Sequence, residues 1–309
     1  MRGRAWWGLA VVVILLAACG EPTPVGNPTP DWPTAPPLPA SPTVDPLLPT
    51  GDGYGGAAVG ASNPTQAALA AEGEPDAQGP TITPQPTAAQ LPMMITAGDG
   101  LVLQATFYGP AARPAPAVLL LPMQDRDRGS WTLLAERLQA AGYAVLTVDL
   151  RGYGETGGQP DWRQAQDDVR AALAMLSELS GVNRSQLIVI GAGIGANLGL
   201  NLCAETSGCA ATVLLSPGLD VQGITTAEAM GRLGARPVLI ISGENDNNNP
   251  ADSVTLGSLA RGDHQLVIVP ISAHGTDLFD AQPGLLDQIA QWLAARVPPG
   301  AALPTPTAG

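Results

Sequence analysis

Short, unbroken apolar runs punctuate the chain from its middle to its carboxyl end: "AVLLL" at 117–121, "AVLTV" at 144–148, "LIVI" at 187–190, "TVLL" at 212–215, "PVLII" at 237–241 and "LVIV" at 266–269. Continuous rather than alternating hydrophobicity marks strands covered on both faces, the pattern of a parallel sheet. Between the runs lie segments with apolar residues at helical spacing, "WTLLAERLQAAG", "QAQDDVRAALAMLSEL" and the final "GLLDQIAQWLAAR". Their lengths suit right-handed crossovers. Ahead of them, "LPMMITAGDGLVLQATFYGP" predicts a hairpin turning at Gly98-Asp99-Gly100. The pattern predicts a doubly wound α/β domain with a mostly parallel sheet over residues 91–298. Its functional residues belong at the carboxyl ends of the strands.

The remainder of the chain reads differently. Residues 19–90 are dominated by Pro, Thr, Ala and Gly, and from residue 20 onward carry no lysine or arginine. Such a stretch buries too little apolar area to offset its ordering entropy, so it is expected to be a disordered tether, and the tail 299–309 repeats its composition. The first residues, "MRGRAWWGLAVVVILLAACG", combine two arginines with an apolar stretch short for a membrane span, which predicts a signal peptide over 1–18. Its last letters, Leu16-Ala17-Ala18-Cys19, resemble the lipobox of bacterial lipoproteins. That resemblance implies a diacylglycerol thioether on Cys19, export, and anchoring to the bilayer at the outer face of a bacterial membrane. Outside the cytosol Cys203 and Cys209, which flank "AETSG", either pair locally or stay as two thiols. A formal charge of −13 argues against nucleic acid as a partner.

Candidate chemistry centres on "LIVIGAGIGANLGL", residues 187–200. Gly191, Gly193 and Ala196 fit the dinucleotide pattern G-x-G-x-x-G/A, whereas Gly191 and Gly195 flank position 193 as in the G-x-S-x-G nucleophile elbow. Chain order separates the two. A dinucleotide turn opens the first βαβ unit and is followed by an acidic residue after the next strand. Here the glycines follow the third parallel run, the next strand ends in Ser216-Pro217, and Asp220 comes late. The hydrolase order of nucleophile, acid and base is met instead by Asp246 in "SGENDNNNP" and His274 in "HGTDLF".

With those residues in place, 91–296 resembles a compact α/β hydrolase of the dienelactone-hydrolase and serine-esterase kind. "DLRGYGETGG" is similar to the family's D-x-R-G-x-G-x-S loop, and "GAGIGAN" to its G-A-S-I-G-A-N. The resemblance implies an α/β-hydrolase fold with Asp246 as triad acid and His274 as base. The connection "SPGLDVQGITTAEAMGRLGAR" is too short for a sizeable lid domain.

The likeness fails at the reactive atom. Glycine stands at 193, where the family has serine, and offers no nucleophile, although it accommodates the elbow's unfavourable φ. Pro122 replaces the usual His after the first parallel strand, leaving the backbone N–H groups of Met123 or Gln124, with Ile194, as oxyanion-hole candidates. Ser216, Ser242 and Ser272 are the candidates for a relocated nucleophile, though each reads more simply as a turn or strand-end serine. A His274–Asp246 pair activating water is a further alternative. With two histidines and no ligand-spaced cluster, no metal is expected, and no cofactor is called for. His264 reads as an exposed residue entering a strand, Asp125 to Arg128 as a charged loop, and Asp149 and Arg151 as braces. The sequence thus predicts a lipoprotein on a hydrolase scaffold, silent as a serine esterase, binding a small molecule or protein. An active hydrolase is the alternative, and a dinucleotide-binding protein the weaker one.

Overall fold

The structure, a computed structural model, describes residues 90–247 and 249–300 of the 309. The expected signal peptide, Cys19, nearly all of the tether, and residues 301–309 lie outside the described residues.

The described residues begin with an antiparallel hairpin, β1 (Gln90–Thr96) and β2 (Val102–Tyr108), closed by Gly100 N–H donating to Ala97 O and Ala97 N–H donating to Leu101 O. There follow β3 (Ala115–Leu121), α1 (Thr132–Ala140), β4 (Ala144–Val148), α2 (Trp162–Glu178), β5 (Val182–Ala192), α3 (Ile194–Glu205) and β6 (Cys209–Leu215). A miniature hairpin, β7 (Asp220–Val221) with β8 (Ile224–Thr225), precedes α4 (Ala227–Leu233). The last elements are β9 (Val238–Gly243), α5 (Asn249–Leu259), β10 (His264–Val269), α6 (Leu278–Ala281) and α7 (Gly284–Arg296). Eight strands form one sheet in the order β1-β2-β4-β3-β5-β6-β9-β10. Within this sheet, among the described residues, only the β1–β2 and β2–β4 pairs are antiparallel; the rest run parallel, as the sequence predicts.

The unbroken runs are explained by the two cores, except that of β10, which lies at the sheet edge and is only partly buried, with Ile268 37% exposed. Along β3 and β5, Leu119, Leu121 and Val189 face a core shared with Val169 and Leu173 of α2 and Leu198 of α3. Val118, Leu120 and Ile190 face the other, with Leu134 and Leu138 of α1 and Ile289 and Leu293 of α7. A strand buried on both faces has no place for a polar alternate. Helix α2 begins where Asp161 caps it, its carboxylate accepting from the N–H groups of Arg163 and Gln164 at 3.0 Å.

Between β6 and β9 there is room only for β7, β8 and the seven residues of α4, so no sizeable lid covers the sheet's carboxyl edge. Two elements exceed the sequence reading. β5 begins at Val182, five residues before its apolar run, and α5 forms over "NPADSVTLGSL". Of the two alternatives for the cysteines, the structure has the disulfide: Cys203 Sγ and Cys209 Sγ are 2.04 Å apart, joining the end of α3 to the start of β6.

Candidate functional site

Strand β5 ends at Ala192 and α3 starts at Ile194, so the single residue between them, Gly193, makes the whole turn. Its backbone is held at φ 52°, ψ −121°, with its N–H donating to Leu215 O at 2.9 Å and its carbonyl accepting from Ala196 N–H at 3.0 Å. A residue with a side chain is strained there. The flanking glycines allow the sharpness: a Cβ on Gly195 would stand 2.4 Å from Leu121 O, and one on Gly191 would stand 2.1 Å from Gly195 O.

A Cβ on Gly193 would lie 2.9 Å from Nε2 of His274, so any side chain at this corner would face the imidazole. On the ring's far side, Nδ1 lies 3.0 Å and 2.9 Å from the two carboxylate oxygens of Asp246. Asp246 is buried, its side chain 3% exposed against 41% for His274. Asp246 thus orients the ring through Nδ1 and leaves Nε2 toward position 193.

Each partner is set by its own turn. After β9, Asp246 N–H donates to Gly243 O at 3.3 Å, and Asn249 N–H, opening α5, donates to Asp246 O at 2.9 Å. After β10, Gly275 N–H donates to the Oγ of Ser216 at 3.0 Å. Ser216 is fully buried with φ 49°, and its carbonyl accepts from Asn249 Nδ2 at 2.8 Å. One serine thereby ties together the ends of β6, β9 and β10, and sequence reasoning did not find that role. Ser242 is engaged too, 2.6 Å from Ser253 Oγ with both residues fully buried. Ser272 is exposed, two residues before His274.

Met123 contributes more than a backbone N–H. It is buried, its Cβ stands 3.0 Å from where a Cβ on Gly193 would be, and its Sδ stands 2.4 Å from where one on Gly275 would be. Its side chain thus occupies the corner between the two glycines. Only the strand-end alignment signals this, since the residue after Pro122 must lie beside the elbow in a parallel sheet. The other oxyanion candidates share that end of the sheet: Gln124 follows β3 and Ile194 opens α3. Gln124 is exposed, and its side-chain oxygen accepts from Gln222 Nε2 at 3.1 Å.

The remaining charged residues act on loops. Asp149, fully buried at the end of β4, pairs with Arg128 and accepts from Arg128 N–H at 2.7 Å and Glu155 N–H at 2.8 Å. Arg151 clasps Asp168 of α2 at 2.5 Å and 2.6 Å, and also reaches Asp99 at 3.0 Å. The Asp168 bonds raise the guanidinium's already high pKa. His264 is exposed at the start of β10, with Nδ1 3.0 Å from Gly262 O. Asp220 accepts from Gly223 N–H at 2.9 Å within its own hairpin. Among the described residues, no group of three or more His, Cys, Asp or Glu is placed to hold a metal ion.

Residues 112–236 match the family model described as serine aminopeptidase, S33. The uncharacterized protein Rv2307c of Mycobacterium tuberculosis is 28% identical over 239 residues, which cover 69% of this chain and 84% of the relative. Among solved structures, the Pyrococcus furiosus esterase Pf2001 superposes with a TM-score of 0.59 at 16% identity, covering 68% of this chain and 94% of that one. Dienelactone hydrolase from Anabaena variabilis gives a TM-score of 0.54 at 21% identity over 68% and 96%. With the strand order above, these similarities show that the chain has the α/β-hydrolase fold.

Proposed function

We propose that this chain is an α/β-hydrolase-fold lipoprotein of the bacterial cell envelope, anchored through Cys19, which binds a ligand and has lost serine-esterase chemistry. The observation that carries the reading is Gly193, the residue of the β5–α3 corner, with the His274 imidazole facing it. Acyl transfer by a triad starts with a side-chain oxygen attacking the carbonyl as the imidazole takes its proton. At position 193 there is no such oxygen. Of the three candidate serines, Ser216 and Ser242 are already committed to buried hydrogen bonds, and Ser272 is exposed on the loop before His274. In well-studied triads, losing the serine costs on the order of a million-fold in turnover, leaving about 10³–10⁴ over water.

Closure of the corner supports the same reading. His274 Nε2 at 2.9 Å and Met123 Cβ at 3.0 Å crowd a Cβ at 193, so a side chain there requires both neighbours to give way. The Cys203–Cys209 disulfide supports export, because such bonds persist in oxidising compartments.

A second reading is favoured by one observation, the intact Asp246–His274 hydrogen bond. Such a pair could draw a proton from water attacking a bound ester. Turnover of a short-chain ester series by the wild-type chain and by His274→Ala distinguishes the two. The binding-protein reading expects at most that small residual rate from either protein, with no difference between them. Wild-type turnover that His274→Ala abolishes would establish the hydrolase instead.

A further inference from the structure

Charge in this domain is sorted along the strand direction. The carboxyl edge of the sheet, where the elbow lies, carries Asp125, Asp127, Glu155, Asp220, Glu244 and Asp280, all exposed. The cations among them are bound: Arg126 pairs with Asp277, and Arg128 with Asp149 and Glu155.

The amino edge is the reverse. Arg113 precedes β3, Arg184 lies near the start of β5, Arg236 precedes β9 and Arg261 precedes β10. None of the four makes an ion pair among the described residues. Arg113, Arg184 and Arg261 are exposed. Two of the four are held by carbonyls instead. Arg184 Nε donates to Ser177 O at 2.9 Å, and Arg236 donates to Leu233 O at 2.7 Å and Thr206 O at 3.1 Å. Carbonyls have no formal charge, so these cations stay uncancelled. Carboxylates at this edge are largely taken up: Glu205 pairs with Arg170 and Asp263 with Arg296, while Glu178, at the end of α2, is exposed and unpaired among the described residues.

An independent feature concerns where the chain enters. β1 is antiparallel to β2, and β2 to β4, so β1 runs in the direction of the parallel strands. Gln90 therefore lies toward the amino edge, level with Tyr108 and, through it, with Val145 near the start of β4. The residues leading back to Cys19 join the domain on that side.

We propose that the amino edge of the sheet docks on an anionic phospholipid surface through Arg113, Arg184 and Arg261, holding the Gly193 corner away from the bilayer. The inference rests on the Cys19 anchor and names the orientation that the anchored domain takes. An anionic leaflet attracts basic side chains only within a screening length of about 8 Å at physiological salt. The seven residues of β3 span about 23 Å, so the leaflet is felt at the docked edge and hardly at the acidic one. Free in solution, a chain of net charge −13 is repelled by such a surface. Tied to it by a lipid, the chain turns its basic edge inward, and attachment on the same side raises the local concentration enough for a few weak contacts to act together. The ligand then reaches the corner from the aqueous side.

Headgroup quenching tests the orientation. The full chain is extracted from membranes, its Cys19 lipid is checked by intact mass, and it is reconstituted on vesicles of two parts phosphatidylcholine to one part phosphatidylglycerol, or of phosphatidylcholine alone. A fluorophore is attached at Ser185→Cys on the amino edge or at Gln282→Cys, between α6 and α7 on the carboxyl edge, both exposed positions, with a headgroup-nitroxide lipid as quencher. On the mixed vesicles the label at 185 is expected to be quenched several-fold more than the label at 282. That difference should vanish on phosphatidylcholine alone, at high salt, and in the triple variant Arg113→Gln, Arg184→Gln, Arg261→Gln. Circular dichroism melts check that the variant is folded, and Arg113→Gln with Arg261→Gln, which keeps the Arg184 bond to Ser177, replaces it if the triple variant melts early. Equal quenching at the two positions, stronger quenching at 282, or a difference that survives salt or the charge changes would overturn the docking edge. With lipid present on Cys19, those results remove this inference alone. A wild-type chain carrying no lipid removes the anchor, and the orientation with it.

Discussion

Position 193 is held where side chains are strained, and glycine relieves that strain at the same stroke as it removes the reactive oxygen. Residues with a Cβ in such backbone regions cost about 1–3 kcal/mol. Gly193→Ala and Gly193→Ser should therefore each lower the unfolding free energy by about that amount, read from urea midpoints at constant slope. Unchanged or higher midpoints would mean that the corner is not strained in the way its angles indicate. Neighbouring residues differ in how far sequence reveals them. Asp246 and His274 are found from chain order because each lies just past an apolar run. Ser216 reads as a strand-end serine, and its bond to Gly275 N–H depends on two loops meeting that no local pattern encodes. Met123 is visible in sequence as a candidate N–H donor, while the packing of its thioether against the two glycines is a tertiary fact.

At the scale of elements, the unbroken runs locate the parallel strands because both faces of β3, β5, β6 and β9 are buried. The amino-terminal residues of β5 are polar and largely exposed, so hydrophobicity understates that strand. Helix α5 escapes the pattern for a related reason: it buries only Ser253, Leu256 and Gly257, too few apolar positions to show a period. Tyr143, between α1 and β4, shows how a helix end is anchored from elsewhere in the chain. Fully buried, it donates its hydroxyl proton to Val297 O, just past α7, at 3.0 Å, and burial pushes its pKa from 10.0 up to about 12. Below pH 10 both folded and unfolded chains hold this proton, and its contribution to stability is complete. As pH rises from 10, the unfolded chain releases the proton first, and the contribution disappears as pH passes through about 12. The loss amounts to about 2–3 kcal/mol. The sequence contains no lysine to obscure that range. Denaturation series at pH 9 to 12 should show the decline, and Tyr143→Phe should flatten most of it. An equal decline in the variant would assign the effect to Tyr108 and Tyr153, which burial also shifts upward.

For the whole molecule, an α/β-hydrolase fold without a sizeable lid is combined with a net charge of −13 and an amino terminus that resembles a lipoprotein signal. The proposed envelope address makes Cys19 the residue on which anchoring turns. Cys19→Ser is expected to move the protein from the membrane fraction to the soluble one, and retention in the membrane would reject the anchor. The claim at the centre is that a hydrolase frame has been kept with its nucleophile gone. Intact-mass analysis after treatment with a fluorophosphonate probe, which phosphonylates activated serines, tests it most directly. The account predicts that the wild-type chain keeps its unmodified mass, and a single stoichiometric adduct suppressed by His274→Ala would contradict it.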